Sequence, residues 1–117
     1  MPVTVTPGSN HGNLNGVTPV TIVAAPGAGV QRVVRSVRFV NIDTAVVTIR
    51  VRKDVGGTPY EFDNVVALAV DGKFQPLSGD DILNLTATNH SITALMALAA
   101  VTTNPSFESS WIDYQVS

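Results

Sequence analysis

Residues Val47 to Arg52, VTIRVR, alternate apolar and polar side chains without a break. Successive side chains of an extended chain point to opposite faces, so Val47, Ile49 and Val51 share one face and Thr48, Arg50 and Arg52 the other. A slip of one residue would turn three aliphatic side chains into water, so the register of this strand is tightly specified. It lies in a longer β-type stretch, Val17 to Gly57, in which PGAG and NIDTA separate three such runs and Gly56-Gly57 ends the third.

The rest of the chain continues in this style. Thr18 to Ala25 reads as a strand and Val30 to Ile42 as a long one. In the latter, Val33, Val37 and Phe39 share a parity that Arg35 breaks, which predicts a bulge over Val34 to Ser36. Asn41 to Thr44 is expected to close a hairpin into Ala45 to Lys53. Pro59 to Phe62 opens a short strand, and Asp71-Gly72 is expected to join Asn64–Val70 to Lys73–Leu77 as another hairpin. Ser78 to Asp81 reads as a turn into Ile82 to Thr88, with Leu83, Leu85 and Ala87 inward. Ala, Leu and Met favour a helix over Ser91 to Val101, but its place between strands favours β structure. Phe107 to Val116 closes the fold, with Ile112, Tyr114 and Val116 expected inward and Trp111 outside the core. About eight short strands divided by Gly and Asp turns predict an all-β antiparallel sandwich over 17–117, jelly-roll or Ig-like. Residues 1–16, rich in Gly, Asn and Thr, read as an extended N-terminal arm. Such a segment orders only against another surface, its own domain or, as expected here, a neighbouring subunit.

Charge narrows the function classes. Only 14% of the 117 residues are charged, against roughly 25% in ordinary soluble proteins. A surface so poor in charge suits a protein covered by neighbours in an assembly. The net charge of −2 gives no basis for binding nucleic acid through phosphate neutralisation. There is no cysteine, so disulfides and thiolate metal sites are excluded. The polar N-terminal region lacks the apolar segment of a signal peptide, and the longest apolar run, Ala94 to Val101, is too short to cross a bilayer. The expectation is synthesis in a cytoplasm, with no membrane partner.

Nothing in the sequence assembles an active site. His11 and His90 stand apart with no partner at metal-ligand spacing. Ser109-Ser110 lack a nucleophile-elbow pattern, and Asp80-Asp81 lack the alternating acidic spacing of a calcium loop. The expectation is a protein that is not an enzyme, with no cofactor and no metal. The arginines carry more information: all five fall between Arg32 and Arg52. If the second and third strands formed a hairpin, Arg38, Arg50 and Arg52 would share an outer face, where planar guanidinium groups can clamp carboxylates across an interface. The same residues also serve as a solvated face that discourages edge aggregation. Trp111, near Phe107 and Tyr114, is a candidate for an interface or a sugar-stacking platform.

Several segments together carry a resemblance: Val20–Pro26 (VTIVAAP), Val33–Asn41 (VVRSVRFVN), Val47–Arg52, Asp54–Tyr60 (DVGGTPY, with a valine inserted before the glycines) and Gly79–Ala87 (GDDILNLTA). The pattern resembles small β-sandwich structural proteins of tailed bacteriophages, which serve as head decoration or cement, head fibres or tail-associated parts. It omits the arm and departs from the family between Ser91 and Ser106. The resemblance implies a non-enzymatic virion component, first of all a capsid decoration protein that stabilises the head. Its partners would be the major capsid protein or other virion proteins, and it would form a homo-oligomer, with a trimer favoured. The alternative it leaves open is a carbohydrate- or receptor-binding module of a head or tail fibre.

Overall fold

Each β-type run forms a strand, and the pairing of the strands decides everything else. A computed structural model describes residues 3–77 and 83–116. The expected Ser78–Asp81 turn, the Asp80-Asp81 pair and Ile82 lie outside the described residues. The strands are β1 (Val3–Asn13), β2 (Val20–Val23), β3 (Val30–Val40), β4 (Val47–Val55), β5 (Thr58–Leu68), β6 (Lys73–Leu77), β7 (Leu83–Leu85), β8 (His90–Met96) and β9 (Ser106–Val116). No helix occurs among the described residues.

β1 pairs with β9, β2 with β8, β3 with β6 and β4 with β5, all antiparallel. The first four strands thus run back along the later ones in reverse order, as one long ribbon that turns at a single hairpin. At that turn Gly56 and Gly57 have φ of 59° and 90°, the positive pair that a type I′ turn requires. Winding the ribbon adds the pairings β3–β9 and β4–β8. The result is two stacked sheets, β1-β9-β3-β6 with β7 also on β3, and β2-β8-β4-β5.

The sheets enclose Phe39, Ile22, Ile49, Leu85, Ile92 and Met96, all essentially without solvent contact. Val37, Phe39, Val47, Ile49 and Val51 are buried as their alternation predicts. The bulge expected at Val34–Ser36 is present in the pairing with β9. Residues 3–13 of the arm lie along β9 of the same chain and not, as expected, against a neighbouring subunit, because Leu14, immediately after, is anchored in the chain's own core.

Five local expectations are corrected. Asn41–Thr44 is not a hairpin turn but a corner that carries the chain from one sheet to the other, so β3 and β4 never pair. Asp71-Gly72 is likewise a crossover, from β5 to β6; only Asp71 takes a positive φ, 62°. Glycine follows it for want of room, since a Cβ there would sit 2.7 Å from the Ala69 carbonyl oxygen. Thr58–Leu68 is one long strand where two short ones were expected over Pro59–Val70, and Ser91–Val101 is strand only as far as Met96. In β9 the parity is inverted. Phe107, Ser109 and Trp111 face inward, whereas Tyr114 is exposed.

A buried polar contact ties the two sheets together. The register of β2 shifts between Thr21 and Val23, which frees the Ile22 carbonyl to face the opposite sheet. It accepts hydrogen bonds from Ser109 Oγ at 2.8 Å and Asn10 Nδ2 at 3.2 Å. Ser109→Ala should therefore cost about 1–3 kcal/mol, read as a lower denaturant midpoint. A change below a few tenths would mean that the Asn10 bond alone satisfies the carbonyl.

Candidate interface surfaces

The inverted parity of β9 places Trp111 beneath β1 rather than on the surface. A Cβ on Gly8, its partner in register, would lie 2.3 Å from the indole nitrogen, so glycine is required there for the ring to fit. Gly12 stands over Phe107 in the same way. The Arg32 guanidinium covers the indole at 4.7 Å from the ring centre. It also holds Asp113 through two hydrogen bonds, 2.8 and 3.0 Å, and donates to the Ala24 carbonyl. Arg32, Asp113 and Trp111 thus plug one end of the sandwich. Trp111 packs against the core and offers no open platform, contrary to its expected place outside.

The remaining arginines do not share a face. Arg38 projects from β3 on the outside of the first sheet and meets Glu108 at 3.0 Å. Arg50 and Arg52 project from β4 on the outside of the second, where both approach Glu61, at 3.8 and 3.4 Å. The cause is the corner at Asn41–Thr44, which sends β3 and β4 to different sheets.

That corner is the most heavily bonded polar site described. Asn41 is fully buried, and its Nδ2 donates to the carbonyls of Ala45, Leu68 and Ala69 while its Oδ1 accepts from the Asp43 amide. Asp43 in turn accepts from the amides of Thr44, Val101, Thr102 and Thr103 and from the Thr102 hydroxyl, at 2.8–3.2 Å. The amides of Val101 and Thr102 hold its carboxyl far below the usual aspartate range, against the opposing effect of burial. Sequence reasoning took these residues for turn formers, and only the density of Asn, Asp and Thr around them hinted at more.

The loop so braced carries apolar side chains into solvent. On it Leu98 is 79% exposed and Val101 69%; beside it Val46 is 62% and Val17 55% exposed. Val46, Leu98 and Val101, with Met96 and Asp43, line a groove of about 240 Å³. At the opposite end of β9, Val3, Val5 and Tyr114 are exposed as well, with Val5 and Tyr114 paired in register.

The strand order defines the jelly-roll class of antiparallel sandwich, a ribbon wound into two sheets, and excludes the Ig-like alternative. Solved structures share this fold, two of them as follows. One is a chain of Bacillus endospore appendages, described as disulfide-linked pili, with 15% identity and a TM-score of 0.56 over 98% of this chain and 89% of that one. The other is a chain of a cyanophage capsid asymmetric unit, with 19% identity and a TM-score of 0.51 over 97% and 85%. No protein-family model matches the chain, and no curated protein is similar to it in sequence. Lacking cysteine, this chain has no counterpart to the disulfide linkage of the appendages.

Proposed function

We propose that the protein is a non-enzymatic structural component of a phage virion, a decoration or cement protein that docks on the capsid as a homo-oligomer. The observation that carries this reading is the loop end, where Leu98 and Val101 stand in solvent on a loop that Asp43 holds at residues 101–103, with Val46 and Val17 exposed beside it. Exposed aliphatic side chains on a rigid loop suit a permanent protein contact, because ordering them costs little at docking. The low charge of the chain and the fold it shares with a cyanophage capsid chain support the same conclusion. Arg50 and Arg52, with one carboxylate between them, supply a second surface suited to an acidic neighbour. The carbohydrate-binding alternative loses its main support with Trp111 covered.

The test is co-sedimentation with expanded capsid shells that lack the protein. Wild type should bind, and Leu98→Asp with Val101→Asp should weaken binding at least about tenfold, as charge at the centre of a desolvated contact does. A wild-type protein that stays monomeric at high concentration and leaves shells bare would overturn the proposal.

A further inference from the structure

Each sheet has two edges, and three of the four edges are guarded. β2 is four residues long, β6 is five residues long and contains Lys73 and Pro76, and β5 carries Glu61 and Asp63. Short length, proline and charge are the usual means by which an edge is kept from pairing with other chains. The fourth edge, β1, is eleven residues long and has no Asp, Glu, Lys or Arg.

The direction of its free groups follows from Pro7, which has no N–H and pairs in register with Ile112. Pro7 therefore occupies a pair without mutual hydrogen bonds, so the odd-numbered residues of β1 turn their N–H and C=O away from β9. Two contacts agree. The even-numbered Leu14 donates its amide towards β9, to Pro105, and the odd-numbered His11 gives its amide to Asn10 Oδ1. Proline and the Asn10 side chain thus blunt the edge from residue 7 onwards. Val3 to Thr6 (VTVT) remains open, with the N–H and C=O of Val3 and Val5 pointing away from the sheet. The side chains of Val3 and Val5 are more than half exposed and flank Tyr114 on the outer face.

We propose that this edge is where a second copy of the chain adds its own β1, antiparallel, across a twofold axis at Thr4. The inference rests on the assembly reading above and names one of its contacts. A second copy is the fitting occupant because an edge without charge opposes itself without repulsion, and because the register is self-complementary. Pairing Val3 with the second copy's Val5, and Val5 with its Val3, forms four backbone bonds, keeps Pro7 out of the ladder and sets valine against valine. Two five-stranded sheets then become one continuous sheet. The contact is short, so it gives a concentration-dependent dimer on its own and gains strength within a larger assembly.

Thr4→Cys tests the axis directly, because the chain has no other thiol. In this register the two Thr4 residues form a pair without mutual hydrogen bonds, about 4.5 Å apart at Cα, within disulfide reach. Mild oxidation should convert Thr4→Cys to covalent dimer at least about tenfold faster than His11→Cys, which lies on the same strand beyond the blunted part. Val5→Pro removes an outward N–H without touching the β9 ladder. It should weaken dimerisation in sedimentation equilibrium about tenfold or more and leave the melting temperature of the monomer unchanged. Equal oxidation rates at the two cysteine positions, or a dimer indifferent to Val5→Pro, would overturn the edge contact. So would assemblies of odd subunit number alone. A protein that still binds shells in those cases retains the assembly reading and loses only this contact.

Discussion

Asp43→Ala is expected to lower the melting temperature by about 10 °C at neutral pH, since it leaves the part-buried amides of the 101–103 loop without their acceptor. On the docking role proposed above, binding to capsid shells should weaken with it, because the same loop presents Leu98 and Val101. The carboxylate also makes stability depend on pH in one direction. The folded state keeps Asp43 ionised well below the ordinary range, so as the pH falls the unfolded chain takes up the proton first. The stabilisation is complete above about pH 5 and declines progressively as the pH drops through about 4 and below, where unfolded aspartate titrates. Asp43→Asn, which retains an oxygen acceptor but cannot ionise, should therefore start less stable at neutral pH and lose less on acidification. Thermal melts of both proteins between pH 3 and pH 7 decide the matter; parallel curves would show that the carboxylate does not carry the acid sensitivity.

Phe39→Ala should come close to unfolding the protein. Phe39 is fully buried, stacks on Phe74 at 5.9 Å between ring centres, and pairs in register with Phe107 at the centre of the first sheet. Truncating such a residue costs about 3–5 kcal/mol, set against a total of about 5–15 kcal/mol for a domain. Chemical denaturation should show this as a large fall in midpoint. A loss below about 1 kcal/mol would mean that Phe74 and Phe107 collapse into the vacated space.

Where one face of a strand was apolar and the other polar, the sequence was sufficient. β4 lies as its alternation requires, and Arg35 announced the bulge in β3 because a charge cannot share the face of Val37 and Phe39. β9 misled because its two faces both carry apolar residues: Phe107 and Trp111 on one, Ile112 and Tyr114 on the other. The information that separates them lies a hundred residues away, in Gly8 and Gly12, whose missing side chains make room for the two inner aromatics. The division of strands between sheets was hidden for a different reason. Asn41, Asp43 and Asp71 supply the same local turn chemistry whether the next strand pairs with the last one or crosses to the other sheet. The arginine cluster expected on one face depended on that choice and dispersed with it. The loop end was illegible for a related cause, since Leu98 and Val101 fall in the Ser91–Val101 run expected to be strand, whereas the chain leaves its strand at Met96.

The reversed order of the ribbon bears on how the protein is made. During synthesis only β4 and β5 find each other at once, through the Gly56–Gly57 turn. β3 must wait for β6, β2 for β8, and β1 for β9, so the hydrophobic faces of the first half stay uncovered until the last strand has left the ribosome. Such distant pairings make folding slow and place it after release of the chain. In a cell producing many copies at once, the VTVT edge would then be exposed early and in quantity. The glycines, Pro7 and the Asn10 side chain along the rest of β1 limit how far an immature chain can zip onto another.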